Sequence, residues 1–144
     1  MHVSDILKEK GNKVATIRAD VSIRSAAQKL KIEGVGVLVV SEDGKSVDGI
    51  LSERDIAHGL AEHGGEIAEQ NVADLMTRGV IHCVPQDSIA HIAKVMTQRR
   101  IRHLPVMEGR TLIGIVSIGD VVRHRLDELE LEANVLRDYA TVRH

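Results

Sequence analysis

Two heptapeptides, Gly49-Ile50-Leu51-Ser52-Glu53-Arg54-Asp55 and Gly114-Ile115-Val116-Ser117-Ile118-Gly119-Asp120, share one grammar: glycine, two aliphatics, serine, two variable residues and aspartate. Each copy closes an apolar run and opens onto helical apolar spacing, so each marks a strand becoming a helix. A junction written twice in a short chain restricts the fold to two copies of one supersecondary unit that share their burial.

The repeat extends outward from the two copies. Val3-Ser4-Asp5-Ile6-Leu7 matches Val72-Ala73-Asp74-Leu75-Met76, each read as a short leading helical turn. Ser22 and Ser88 then open segments whose apolar positions agree step by step: Ile23, Ala26, Ala27 and Leu30 against Ile89, Ile92, Ala93 and Met96. Strands rich in β-formers follow over 35–40 and 101–106. The turns Ser41-Glu42-Asp43-Gly44-Lys45 and Glu108-Gly109-Arg110 should pair each strand with the next one. Short first strands are expected over 15–17 and 81–83, and helices from Asp55 and Asp120.

The expected architecture is thus α/β (α+β), two βαββα repeats over 1–65 and 66–125, with a helical tail over 126–144. Gly64-Gly65 marks the boundary loop between the repeats. A half of about 60 residues buries only about 60% of its unfolded surface, so the two sheets are expected to pack into one core. Phe and Trp are absent and Tyr139 is the one tyrosine, so that core is aliphatic and any bound ring sits between aliphatic side chains.

Charge and cysteine usage narrow the function classes. A net charge of −2 argues against broad nucleic-acid binding, although Arg99-Arg100-Ile101-Arg102-His103 is locally basic. One cysteine, Cys83, permits neither an internal disulfide nor a thiolate metal cage. The eight histidines have no metal-ligand spacing, and no nucleophile stands with a base, so neither a metal site nor catalysis is expected. The start of the chain does not read as a signal peptide and no apolar run of about 18 residues could span a bilayer, so a soluble cytoplasmic protein is expected. In the tail, Val122, Leu126, Leu129, Ala133, Leu136 and Ala140 step by four and three, a heptad seam that needs either its own domain or another subunit to cover it.

The Ser-x-x-Asp unit supports two readings with the same atoms. In one, serine caps a helix and the acid reaches back to the positive helix end. In the other, the carboxylate accepts from both hydroxyls of a ribose while serine and nearby N–H groups donate to phosphate.

With His103-Leu104-Pro105-Val106 before its turn, the duplicated pattern resembles a tandem pair of cystathionine-β-synthase (CBS) domains, a Bateman module. That resemblance covers nearly all of residues 1 to 125. It implies pseudo-twofold halves with two clefts that bind AMP, ADP, ATP, NAD(H) or S-adenosylmethionine, and a regulatory protein that is not an enzyme and often pairs as a homodimer through its helices. Carried onto this chain, one cleft joins Ser117, Gly119 and Asp120 to Thr16, Ile17, Val35, Gly36 and Val37. The other joins Ser52, Arg54 and Asp55 to His82, Cys83, Val84, Ile101, Arg102 and His103. With its arginines, the Asp55 cleft is expected to hold phosphate more tightly. Two other functions fit the sequence: an interaction scaffold with vestigial clefts, and a nucleic-acid binder using Arg99 to His103. Cys83, on an apolar strand, is expected to be buried rather than reactive.

Overall fold

The structure is a computed structural model and describes residues 1–142. Its elements in chain order are α1 (Val3–Lys10), β1 (Thr16–Ile17), α2 (Ile23–Glu33), β2 (Val37–Val40), β3 (Gly49–Ser52) and α3 (Glu53–His63), then a 3-10 turn over Gly64–Glu69. The second half follows with α4 (Val72–Leu75), α5 (Ile89–Arg99), β4 (His103–Glu108), β5 (Thr111–Ser117) and α6 (Ile118–Val142). The last two residues of the tail expected over 126–144 lie outside the described residues.

Capping chemistry sets where the helices begin. Ser22 and Ser88 accept from the N–H groups of Ser25 and His91, giving α2 and α5 matched starts. Both motif copies fold as reciprocal capping boxes. The Ser52 N–H donates to Asp55 Oδ2 at 2.9 Å and the Asp55 N–H to Ser52 Oγ at 3.1 Å; Ser117 and Asp120 repeat this at the same distances. The helices therefore start at Glu53 and Ile118, two residues before the acids where the spacing put them, because serine is the residue at the cap.

Strand order in the first half is β1-β2-β3, with β1 parallel and β3 antiparallel to β2. In the second half, among the described residues, only β4 and β5 form a ladder, and the expected strand over 81–83 is reduced to a bridge between Cys83 and Val106. Proline explains the loss. In the first half the Val39 N–H donates to Ala15 O and the Ser41 N–H to Ile17 O. The second half keeps the equivalent Met107-to-Cys83 bond at 2.8 Å, but Pro105 stands where Val39 does and has no N–H to hold Ile81. The turns also differ. Gly109-Arg110 makes a two-residue connection between Glu108 and Thr111, whereas Val40 and Gly49 are joined by a long loop. That loop is pinned by Asp43, whose carboxyl accepts from the N–H groups of Ser46 and Lys45; those bonds hold its pKa down to about 2.

The core differs from the single shared one expected. One cluster contains Cys83, Ile89, Ile92, Met96, Leu104, Val106, Val116 and Val121 together with Val3, Ile6 and Leu7. The other contains Ile17, Ile23, Ala26, Leu30, Leu38, Val40 and Leu51 together with Ile67 and Val72. Each leading helix thus packs into the opposite half: the Val3 N–H donates to Asp87 O, and the Val72 N–H to Val21 O. Where the sheets meet, buried Val39, Met107 and Leu112 form a small third cluster, with Val14, Val47 and Ile115 packed against it. The exchanged helices therefore join the halves alongside that cluster, since each larger cluster is completed by the other repeat's leading helix.

This exchange also explains the motif glycines. A Cβ on Gly49 would lie 2.8 Å from the Thr77 carbonyl oxygen, and one on Gly114 would lie 2.7 Å from Leu7 Cδ2. At both glycines it is the leading segments of the chain itself that approach closely.

Candidate ligand cleft

Although α1 and α4 start alike, they end differently. Lys8-Glu9-Lys10 are good helix formers and carry α1 on to Gly11, while Thr77-Arg78-Gly79 stop α4 after Leu75. Thr77 instead pairs with Ile50 through two backbone hydrogen bonds of 3.0 and 2.8 Å. The chain then crosses Gly79, Val80 and Ile81 along one wall of a cleft of about 640 Å³. Its floor and opposite wall come from Ile50, Ser52, Glu53, Arg54 and Asp55, with Gly36 and Val37 beside them. Arg100, Ile101, Arg102 and His103 complete the rim from the second half.

Asp55 is half-buried in this cleft. Its Oδ2 serves the cap, and among the described residues its Oδ1 meets only the Thr77 hydroxyl, at 3.5 Å. That oxygen keeps acceptor capacity toward the cleft. Ile50, Val80, Ile81 and Ile101 supply an aliphatic slot, while three guanidinium groups outnumber the carboxylates of Glu53 and Asp55. The volume lies within the range of small-molecule sites.

Asp120 has the same cap but a different neighbour. Lys10 Nζ donates to its Oδ2 at 2.7 Å and to the Ile115 carbonyl at 3.0 Å, and Arg123 Nη2 stands 3.9 Å from Oδ1. Burial opposes ionisation of Asp120, but the Lys10 hydrogen bond, the Ser117 N–H and the Lys10 charge together hold its carboxyl below the usual range. One residue earlier, Glu9 Oε2 lies 2.8 Å from Nε2 of the buried His124, fastening the same turn of α1 to α6.

The structure brings together Ser52, Arg54, Asp55, Ile101, Arg102 and His103 as one lining. It also brings in Gly36 and Val37, which were expected beside Asp120. The reason is register: Val37 faces Ser52 across the β2–β3 ladder, and the Glu53 N–H donates to Gly36 O at 3.0 Å. His82, Cys83 and Val84 stand outside that lining. Cys83 is 2% exposed, and burial pushes its thiol up to about 12, with the Asp87 charge adding to the shift. His82 and Val84 flank it and are exposed. Ile17 belongs to the first core, and the Thr16 carbonyl accepts from Lys29. Val35 is exposed, and Ser117 and Gly119 lie at the start of α6 beside the paired Asp120.

Thr77, Gly79, Val80, Ile81 and Arg100 line the cleft although the sequence pattern places none of them there; Ile81 falls in the expected strand over 81–83 and Arg100 in the basic cluster. Arg100 carried a readable signal. It stands at the end of α5 with φ 55°, the left-handed cap conformation that Gly34 adopts at the end of α2. An arginine where the repeat has glycine accepts backbone strain at the edge of a cleft.

His103 lies between the two acids. Burial is the main cause of its lowered pKa, reinforced by the charges of Lys10 and Arg102 and opposed by Asp120. The ring is neutral at neutral pH, so it offers a hydrogen bond rather than a charge. Its stabilising contribution is present at neutral pH and is lost as pH falls from the ordinary histidine value toward the lowered one. Lys10→Met is expected to raise the His103 midpoint toward 6.5 in an NMR titration. An unchanged midpoint would show that Lys10 does not act on the ring.

The family model for the CBS domain matches residues 3–62 and 72–127. The mitochondrial CBS domain-containing protein CBSX3 of Arabidopsis thaliana is 32% identical over 145 residues, covering 95% of this chain and 70% of that protein. Among solved structures, the CBS-domain containing protein ATU1752 of Agrobacterium tumefaciens superposes with a TM-score of 0.83 at 39% identity, covering 87% of this chain and 99% of that one. The CBS domain pair of protein MJ0100, in complex with 5′-methylthioadenosine and S-adenosyl-L-methionine, gives 0.78 at 27% identity, covering 89% and 98%. With both motif copies, both capping boxes and both matched segments in place, the chain belongs to the CBS-domain family as a tandem pair.

Proposed function

We propose that the chain is a regulatory module that binds an adenosine-containing ligand in the Asp55 cleft and conveys its occupancy to a partner. The observation that carries this reading is the open Oδ1 of Asp55, set in an aliphatic slot rimmed by Arg54, Arg100 and Arg102. Ribose hydroxyls donate to that oxygen, the base enters the slot, and phosphate oxygens accept from the guanidinium groups. The MJ0100 domain pair, crystallised with two adenosine compounds, supports the ligand class. Three arginines favour a phosphorylated member, AMP, ADP, ATP or NAD(H), over the cationic S-adenosylmethionine. With Asp120 already paired to Lys10, the Asp55 cleft is the tighter site. A cytoplasmic homodimer without catalytic activity completes the reading.

Occupancy can be conveyed only if ligand binds one arrangement of the halves better than another. The junction of the halves supplies a place for that difference, since the cleft takes its walls from both. A thermal-shift panel of AMP, ADP, ATP, NAD(H) and S-adenosylmethionine tests the proposal. At a hundred times Kd a phosphorylated ligand stabilises by about 2.7 kcal/mol, expected to raise Tm by about 5–10 °C. Flat curves across the panel would support the scaffold reading instead, and salt-sensitive binding of RNA or DNA would support the nucleic-acid one.

A further inference from the structure

Beyond Glu128, every described residue of α6 through Thr141 is exposed, so the helix projects from the body that anchors its first turns. Along it the heptad seam has no cover among the described residues: Val122, Leu126, Leu129 and Leu136 are 49, 60, 44 and 69% exposed. The seam lies part of a turn around the helix from the body-facing Val121 and His124 and forms an apolar stripe of the kind a second helix fills, while Leu131 and Val135 are exposed on another side of the helix.

The flanking charges specify which helix. Placing Leu126, Ala133 and Ala140 at the a positions and Val122, Leu129 and Leu136 at d puts Arg123, Glu130 and Arg137 at e, and Arg125 and Glu132 at g. In a parallel, in-register pair, each g residue meets the e residue five positions later on the other chain. Arg125 then faces Glu130 of the second copy, and Glu132 faces Arg137 of the second copy. Symmetry repeats both pairs, so all four are attractive.

An antiparallel pair with the seam fully overlapped does the reverse. It sets Leu126 against Leu136, and then Glu130 against Glu130, Glu132 against Glu132 and Arg123 against Arg137. Every pair of two charged residues is then repulsive. Within the chain, Arg125 lies 3.8 Å from Glu128, while Glu130, Glu132 and Arg137 have no ion pair among the described residues.

We propose that α6 pairs with α6 of a second copy of this chain as a parallel, in-register coiled coil. Apolar burial supplies the attraction and the charge pattern selects the orientation. The pairing places the two CBS pairs on the same end of the coil and does not depend on what the Asp55 cleft binds.

Sedimentation equilibrium of the full chain, without ligand, is expected to show a dimer. Leu126→Asp with Leu136→Asp should weaken association by at least about thirtyfold while leaving the circular dichroism of the body in place. Glu130→Arg turns two attractive pairs repulsive and should weaken it about tenfold; adding Arg125→Glu should restore it to within about threefold. Leu129→Cys should cross-link to its own copy on oxidation, with the buried Cys83 remaining silent. A monomeric chain overturns the proposal, as does a dimer indifferent to the Leu126 and Leu136 changes. So does cross-linking of Leu129→Cys only to a copy carrying Ala133→Cys, which would mean the antiparallel arrangement.

Discussion

Asp55→Ala is expected to weaken binding of a phosphorylated adenosine ligand about a hundredfold, while Asp120→Ala changes it less than about threefold. The two acids have the same sequence context and the same capping geometry, with N–H···Oδ2 distances of 2.9 Å in both. They differ in what else they hold. Asp55 lines the cleft, and among the described residues its Oδ1 has only a long contact to Thr77, whereas Lys10 and Arg123 already surround Asp120. Ligand reaching Asp120 must first displace an ammonium group, which cancels most of what the ribose contacts contribute.

Removing either acid also removes a helix cap, at about 1 kcal/mol of stability. Asp74→Ala supplies the matched control, since Asp74 caps α4 through the Asn71 N–H at 3.0 Å and does not line the cleft. Calorimetric titration of the three variants separates the effects. Equal losses from Asp55→Ala and Asp74→Ala would reduce Asp55 to a cap, and a larger loss from Asp120→Ala would reverse the ranking of the clefts.

Ile6→Ala is expected to destabilise the protein by about 3–4 kcal/mol, a large share of the stability of a domain this size. Ile6 is fully buried, but the cluster that buries it is that of the second half, with Ile89, Leu104 and Val116. Hydrogen exchange should therefore show the larger loss of protection in β4 and β5, not in the strands β2 and β3 of its own repeat. Greater loss in β2 and β3 would contradict the exchange of leading helices. The same substitution loosens α1, so the Lys10 contact to Asp120 should weaken along with the core.

Much of this architecture could be read before folding because it rests on local chemistry. The matching apolar steps from Ile23 and Ile89 became two eleven-residue helices whose buried positions correspond: Ile23, Ala26 and Leu30 with Ile89, Ile92 and Met96. Ser-x-x-Asp became a capping box in both halves, which makes the structural reading of the motif true without removing the ligand reading. The missing strand beside Cys83 was legible in principle from Pro105 standing where the first repeat has Val39. Arg100 was legible in the same way from Gly34. Both required comparing the repeats for what a backbone position demands rather than for which side chains look chemical.

A duplicated, aliphatic, CBS-like chain with two serine-and-acid helix starts and a charged heptad tail was readable from residue order, because periodicity, capping and composition act over a few residues. The arginines ranked the two clefts in advance; that Lys10 holds Asp120 while Asp55 stays open came from the tertiary structure. That inequality depends on α1 running on to Lys10 while α4 stops before Thr77, and on each leading helix crossing to the other half. Lys10 and Asp120 meet at 2.7 Å although 110 positions separate them. No local pattern brings them together; the exchange of helices does, because burying Ile6 and Leu7 in the second core carries Lys10 onto that acid and leaves Asp55 open.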